Sequence, residues 1–246
     1  MRNIKFEIEY DGSNYAGWQI QPAGRGKTIQ EVIEKKLRKI LREEIKLIVS
    51  GRTDAGVHAR AQVANFFTHS AIPLARLKIA INGLLPEDIK VIKASVEKPD
   101  FHSRFNAKSK VYRYTILNRN YSSPLSRSTV CFYPHPLDVK LMQKEARILL
   151  GKHNFSAFAA AKCRERNPEK EIKEIIVVKK KDLIYIDIEA DGFLYNMVRN
   201  IVGTLIEIGR GKIAKGSLRK ILLSRNRALA GQTAGARGLC LLKVKY

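Results

Sequence analysis

Arg52, Thr53 and Asp54 stand between two glycines in the segment Ser50-Gly51-Arg52-Thr53-Asp54-Ala55-Gly56-Val57-His58-Ala59. Glycine permits backbone turns that other residues resist, so the segment reads as a tight loop. Apolar, strand-like stretches flank it and give its polar side chains a rigid base. A carboxylate two residues from an arginine is suited to being held ionised. An ionised carboxylate in a shielded place can attack an electrophilic carbon. By composition alone the same residues also read as an Asp-capped turn with a surface ion pair between Asp54 and Arg52.

Two residues elsewhere have environments that leave their roles open. Arg199 lies among Met197, Val198, Ile201 and Val202, and an arginine in apolar company requires a partner for its charge. The alternative is an arginine on a helix surface. Tyr112 alternates with Arg113 on a strand pattern, so the two face opposite ways. Strand tyrosines are commonly core residues, and the pattern does not separate that role from a functional one. His58 shares the Asp54 loop, where a lone histidine is more often structural. Cys131, Cys163 and Cys240 are far apart, which argues against a disulfide framework or a zinc site and for a reducing, cytoplasmic setting.

Charge narrows the partner. Lys and Arg number 46 against 23 Asp and Glu, a formal net charge of +23. Such a surface repels itself unless an anion meets it, and nucleic acid is the commonest such anion. The stretches 55–86, 101–137 and 208–246 contain no acid. Segregation of this kind suggests extended positive surface able to follow a phosphate backbone. No run of about 18 apolar residues predicts a membrane span, and Met1–Glu7 alternates like a strand rather than a signal peptide. No fingerprint for a nucleotide cofactor is present.

The elements that must position these residues follow from periodicity. Ile4, Phe6, Ile8 and Tyr10 alternate as a strand. Thr28 with Glu31 three residues on forms a capping box ahead of a helix with the stripe Ile29, Val32, Ile33, Leu37, Ile40 and Leu41. Further strands are predicted at 46–50, 61–67, 89–96, 110–117 and 239–246, with a hairpin of 172–179 and 183–190 around Lys181-Asp182. Helices are predicted from Pro73 to Leu84, from Asp138 to Leu150 before Gly151, over 194–208 as an amphipathic helix closed by Gly209, and over 217–223. Strands and helices mix without βα alternation, so the fold class is α+β with largely antiparallel sheet. Ile8-Glu9-Tyr10-Asp11-Gly12 echoes Ile188-Glu189-Ala190-Asp191-Gly192 and suggests a duplicated half. The division falls near Ala107 or within 118–128; we take 1–107, with the loop 50–59, and 108–246.

The segment 51–59 resembles the signature loop of the bacterial tRNA pseudouridine synthase A family. Tyr10-Asp11-Gly12 with Gly17-Trp18-Gln19, Asn82-Gly83-Leu84-Leu85-Pro86, Phe101-His102-Ser103-Arg104-Phe105 and Tyr112-Arg113-Tyr114 match further blocks in order. So do the run from Asp191 to Arg199 and Ala236-Arg237-Gly238-Leu239. One departure is Gly235, where the family often has proline; this would loosen that loop without touching a catalytic group.

The resemblance implies the pseudouridine-synthase fold: two similar halves with mostly antiparallel sheets, helices on their flanks and a central catalytic cleft. It implies an isomerase that converts uridine to pseudouridine at positions 38–40 of the tRNA anticodon stem-loop, without metal or other cofactor. By the same resemblance Asp54 is the essential carboxylate, Arg199 its cationic partner, and Tyr112 stacks on the target base. Arg52 fills the space left when that base is turned out of its stack. Arg104, Lys108 and Lys110 would supply phosphate contacts, as would the basic C-terminal stretch, and the family members are homodimers. A non-catalytic RNA-binding protein, a basic DNA- or ribosome-binding protein and a hydrolase with Asp54 as nucleophile remain as alternatives on the residues alone.

Overall fold

The computed structural model describes residues 1–22, 26–160 and 167–246. They form two compact units, Met1–Lys108 with Leu241–Tyr246, and Ser109–Cys240. Cys163 and Glu165 lie outside the described residues. In chain order the elements are β1 (Arg2–Tyr10), α1 (Ile29–Leu41), β2 (Ile48–Val49), β3 (His58–Thr68), α2 (Leu74–Leu84), β4 (Ile89–Glu97) and β5 (Ser109–Leu117). There follow β6 (Cys131–Phe132), α3 (Val139–Ala146), β7 (Gly151–Asn154), β8 (Glu169–Lys180), β9 (Leu183–Ala190), α4 (Met197–Gly209), α5 (Ser217–Ser224) and β10 (Leu239–Lys245). The fold is α+β: β1 runs antiparallel to β3 and β4, β5 to β9, and β8 to β7 and β9, while β6 runs parallel to β5.

In the first unit the strand order is β4-β1-β3-β10, with β2 on β3. Phe6 of β1 stands opposite Ala64 and Ala94. Ile4, Phe6 and Ile8 are fully buried, and the alternate residues Lys5, Glu7 and Glu9 are not. Period-2 alternation thus makes one apolar face. Thr28 caps α1 by accepting the Glu31 N–H at 3.3 Å, a contact worth about 1 kcal/mol. The buried stripe of α1 is the expected one, save that Ile40 stays half exposed. The strand expected at 46–50 shrinks to two residues. The buried Glu34 carboxylate takes the Leu47 N–H at 2.8 Å and so removes it from strand pairing.

In the second unit β5-β9-β8-β7 are successive neighbours. The β8–β9 hairpin turns at Lys181, which adopts a φ of 53°. Asp138 caps α3 through the Leu141 N–H at 2.9 Å, and residues 147–149 tighten into a 3-10 turn. One expectation for the fourth helix needs correction. It begins at Met197 rather than Leu194, because Asn196 takes a left-handed φ of 61°. Its amphipathic pattern holds, but the polar face is covered: Asn200 and Thr204 are as fully buried as Ile201 and Leu205. The segment 227–234 lies across its outer side. Gly203 makes that approach possible, because a Cβ there would sit 1.7 Å from the Gln232 carbonyl oxygen.

Candidate active site

Asp54 is the first residue of a β-turn. Its carbonyl accepts the Val57 N–H at 3.1 Å, and Gly56 carries the left-handed φ of 76° that the turn requires. Gly51 has no such conformation; its carbonyl accepts from Gln62 Nε2 at 2.9 Å. The residues after β1 hold the loop from below. Tyr10 Oη lies 2.7 Å from Thr53 Oγ1, and the Trp18 N–H donates to the Thr53 carbonyl at 3.0 Å. The backbones approach so closely that side chains would collide. A Cβ on Gly12 would sit 2.0 Å from the Val57 oxygen, and one on Gly17 would sit 2.7 Å from the Thr53 oxygen. The blocks Tyr10-Asp11-Gly12 and Gly17-Trp18 therefore have a physical task, which is to wedge the Asp54 loop. Their turn chemistry is visible in the sequence; the partner forty residues away is not.

His58 secures the far end of the loop. The Gly12 N–H approaches its Nδ1 at 3.1 Å, and Asp11 Oδ1 stands 3.0 Å from the same atom. Burial pushes the Asp11 carboxyl up, while the Ser13 hydroxyl and N–H together with His58 pull it down, leaving it below the ordinary carboxylate value. Asp54 itself is half buried. Arg52 projects into solvent, and no carboxylate among the described residues pairs with it.

The second unit holds Arg199 and Tyr112. Arg199, in the first turn of α4, is oriented by two bonds: Nε donates to the Ala234 carbonyl at 2.7 Å and Nη1 to Asn196 Oδ1 at 3.0 Å. Asn200, buried and unremarked in the sequence, supports this arrangement. It donates to the Phe158 carbonyl at 2.7 Å and accepts from Thr233 at 2.6 Å and Arg227 at 3.1 Å. Thr204 Oγ1 accepts the Gly231 N–H at 2.9 Å. These bonds fix the 227–234 segment, and that segment presents the Ala234 carbonyl to Arg199. Tyr112 on β5 is 7% exposed, its ring edge-on to Phe193 at 5.1 Å. Phe193 is thus a second aromatic at this position that residue spacing did not single out.

The candidate phosphate-binding residues divide by environment. Arg104 and Lys108 are exposed in the first unit, and Lys110 on β5 is half buried in the second. Phe101 is a packing residue, its ring 5.1 Å from that of Tyr246. Cys131 and Cys240 are free thiols. Among the described residues no cluster of His, Cys, Asp and Glu is arranged to hold a metal ion, and no helix is long and apolar enough to cross a membrane.

Comparison with known proteins adds relationship to geometry. The family model described as tRNA pseudouridine synthase matches residues 8–106 and 146–246. The tRNA pseudouridine synthase A of Thermoanaerobacter pseudethanolicus is 45% identical over 246 residues, covering 100% of both chains. That of Moorella thermoacetica is 46% identical over 243 residues, covering 99% of each. The matched residues include the Asp54 loop, the wedge beneath it and α4 with Arg199. The chain belongs to the tRNA pseudouridine synthase family.

Proposed function

We propose that this chain isomerises uridine to pseudouridine at positions 38–40 of the tRNA anticodon stem-loop, with Asp54 as the essential carboxylate. The reaction breaks the glycosidic C–N bond, turns the base and forms a C–C bond between ribose C1′ and base C5. The C5 proton leaves and N1 finishes protonated, so no redox partner or energy source enters. The detached base must not diffuse away, which calls for a carboxylate fixed before the bond breaks. The wedged backbone of the Asp54 loop, held by Gly12, Gly17 and the Tyr10–Thr53 contact, is the observation that supports this reading most directly.

The other roles belong to the same proposal. Arg199 supplies the positive charge that keeps the carboxylate ionised. Tyr112 offers the aromatic surface for the base, and Arg52, exposed and unpaired with any described carboxylate, takes the place of the extruded nucleotide. Arg104, Lys108 and Lys110 contact phosphates and make affinity salt-dependent. Attack at ribose C1′ and attack at the base ring are both compatible with a fixed carboxylate. The proposal includes action in the cytoplasm, where tRNA is processed, and assembly as a homodimer, which light scattering on the purified chain measures.

The test uses Asp54→Ala and Asp54→Asn in the full chain with unmodified tRNA. Pseudouridine formation should fall below detection while tRNA affinity stays within about twofold of wild type, since one carboxylate contributes little to phosphate binding. Turnover by either variant removes Asp54 from its role. Mapping the modified positions checks the anticodon assignment, and modification confined to another arm overturns it.

A further inference from the structure

The loop after β4 carries an exposed aromatic ring on an unusually well-anchored base. Beneath the loop lies a buried side-chain network. Asn65 Oδ1, on β3, accepts from Ser103 N–H at 2.9 Å and Ser103 Oγ at 2.8 Å, and its Nδ2 donates to Asn3 Oδ1 at 2.9 Å. Asn3 in turn donates to the carbonyls of Lys98 and Phe101, each at 2.9 Å. Asn3, Asn65 and Ser103 are at most 2% exposed. Above them His102 closes the turn: its Nδ1 accepts the N–H groups of Arg104 and Phe105 at 3.1 and 3.3 Å. The Phe105 ring is held 4.2 Å from the His102 ring at an interplanar angle of 30°, with the Arg104 guanidinium carbon 5.9 Å away.

Phe105 is nevertheless 76% exposed. A lone exposed apolar side chain means little. Here every backbone N–H from Phe101 to Asn106 is bonded, the ring is largely exposed, and an arginine with no carboxylate partner among the described residues stands beside it. No acid occurs in residues 101–137. A ring and a guanidinium side by side match a nucleobase and its phosphate. A second copy of this chain, at +23, is disfavoured at so basic a site.

We propose that Phe105 is a base-stacking contact for tRNA, and that it engages a nucleotide other than the one being isomerised. Asn65 lies seven residues along β3 from His58. At about 3.3 Å per residue Asn65 is about 23 Å along the strand from the His58 end of the Asp54 turn. The contact rests on the tRNA reading given above. It is a second point of attachment that registers the RNA on the first unit.

The experiment compares Phe105→Ala, Phe105→Leu and Phe105→Trp with wild type in the full chain. It measures affinity for unmodified tRNA at fixed salt, kcat at saturating tRNA, and molecular mass in solution. Loss of stacking should weaken tRNA binding about tenfold or more in the Ala variant. The Leu variant should show the same loss and the Trp variant wild-type affinity, with kcat at saturation unchanged in all three. Wild-type affinity in the Ala variant, or in the Leu variant, overturns the proposal. A change of oligomeric mass in the Ala variant also overturns it, because the ring then serves a protein contact. Wild-type turnover on tRNA alongside any of these results leaves the proposed function standing; a wild type that leaves tRNA unmodified sinks both.

Discussion

Ala234 is bonded to Arg199 in both directions: its N–H donates to the Arg199 carbonyl at 3.1 Å, and its carbonyl accepts from Arg199 Nε at 2.7 Å. The segment that carries Ala234 is held to α4 by Asn200, Thr204 and the bare surface of Gly203. Gly203→Ala places a methyl 1.7 Å from the Gln232 oxygen and must displace that segment. The expected outcome is a stability loss of about 1–3 kcal/mol from overpacking. In the surviving folded fraction kcat should drop by more than tenfold, about 1.4 kcal/mol in the barrier, with tRNA affinity kept. Chemical denaturation with single-turnover kinetics reads both quantities.

Tyr10→Phe removes the hydroxyl that meets Thr53 Oγ1 at 2.7 Å. A buried hydrogen bond of this kind is worth about 1 kcal/mol. The variant should melt at a lower temperature and turn over more slowly, again without weaker tRNA binding. A loss confined to KM would show that Tyr10 touches the RNA rather than the loop.

Gly235 has φ −58° and ψ 144°, the conformation proline prefers. None of the described hydrogen bonds uses its N–H, and a Cβ there would meet nothing nearer than Tyr114 Oη at 4.0 Å. Gly235→Pro should therefore stabilise the chain by about 0.4–1 kcal/mol through the unfolded state, with activity intact. A lower melting temperature would count against it.

Three tyrosines should resist ionisation. Burial raises the hydroxyl pKa of Tyr15, Tyr114 and Tyr246 above the ordinary value of 10.0, and for Tyr15 the adjacent Asp88 adds to it. Their folded pKa values exceed the unfolded ones, so the stability they contribute is complete below about pH 10. It is lost as pH rises from there toward the raised values. Tyrosinate absorbance near alkaline pH should show these three missing until the chain unfolds, then appearing together in one step. Smooth titration of all nine tyrosines before unfolding would contradict this.

Local chemistry was legible in the sequence where it is self-contained. Thr28 with Glu31 marked the start of α1, and Lys181-Asp182 marked the β8–β9 turn. Legibility ended where a distant segment decides the outcome. The start of α4 depends on the left-handed Asn196, and the burial of its polar face depends on residues 227–234 lying over Gly203. The Asp54 loop itself could be read as a turn carrying a carboxylate. The wedge that holds it could not, because Gly12 and Gly17 look like ordinary turn glycines until Val57 and Thr53 are seen against them.

The wedge under Asp54 holds the loop backbone in one arrangement before any substrate arrives. The entropy of ordering that backbone is settled during folding, so a carboxylate acting as proposed is a fixed jig to which the nucleic acid must conform. Deformation then resides in the RNA. Among competing uridines, the quickest to react should be those in the most pliant part of the stem, whatever their hydrogen bonds to the protein.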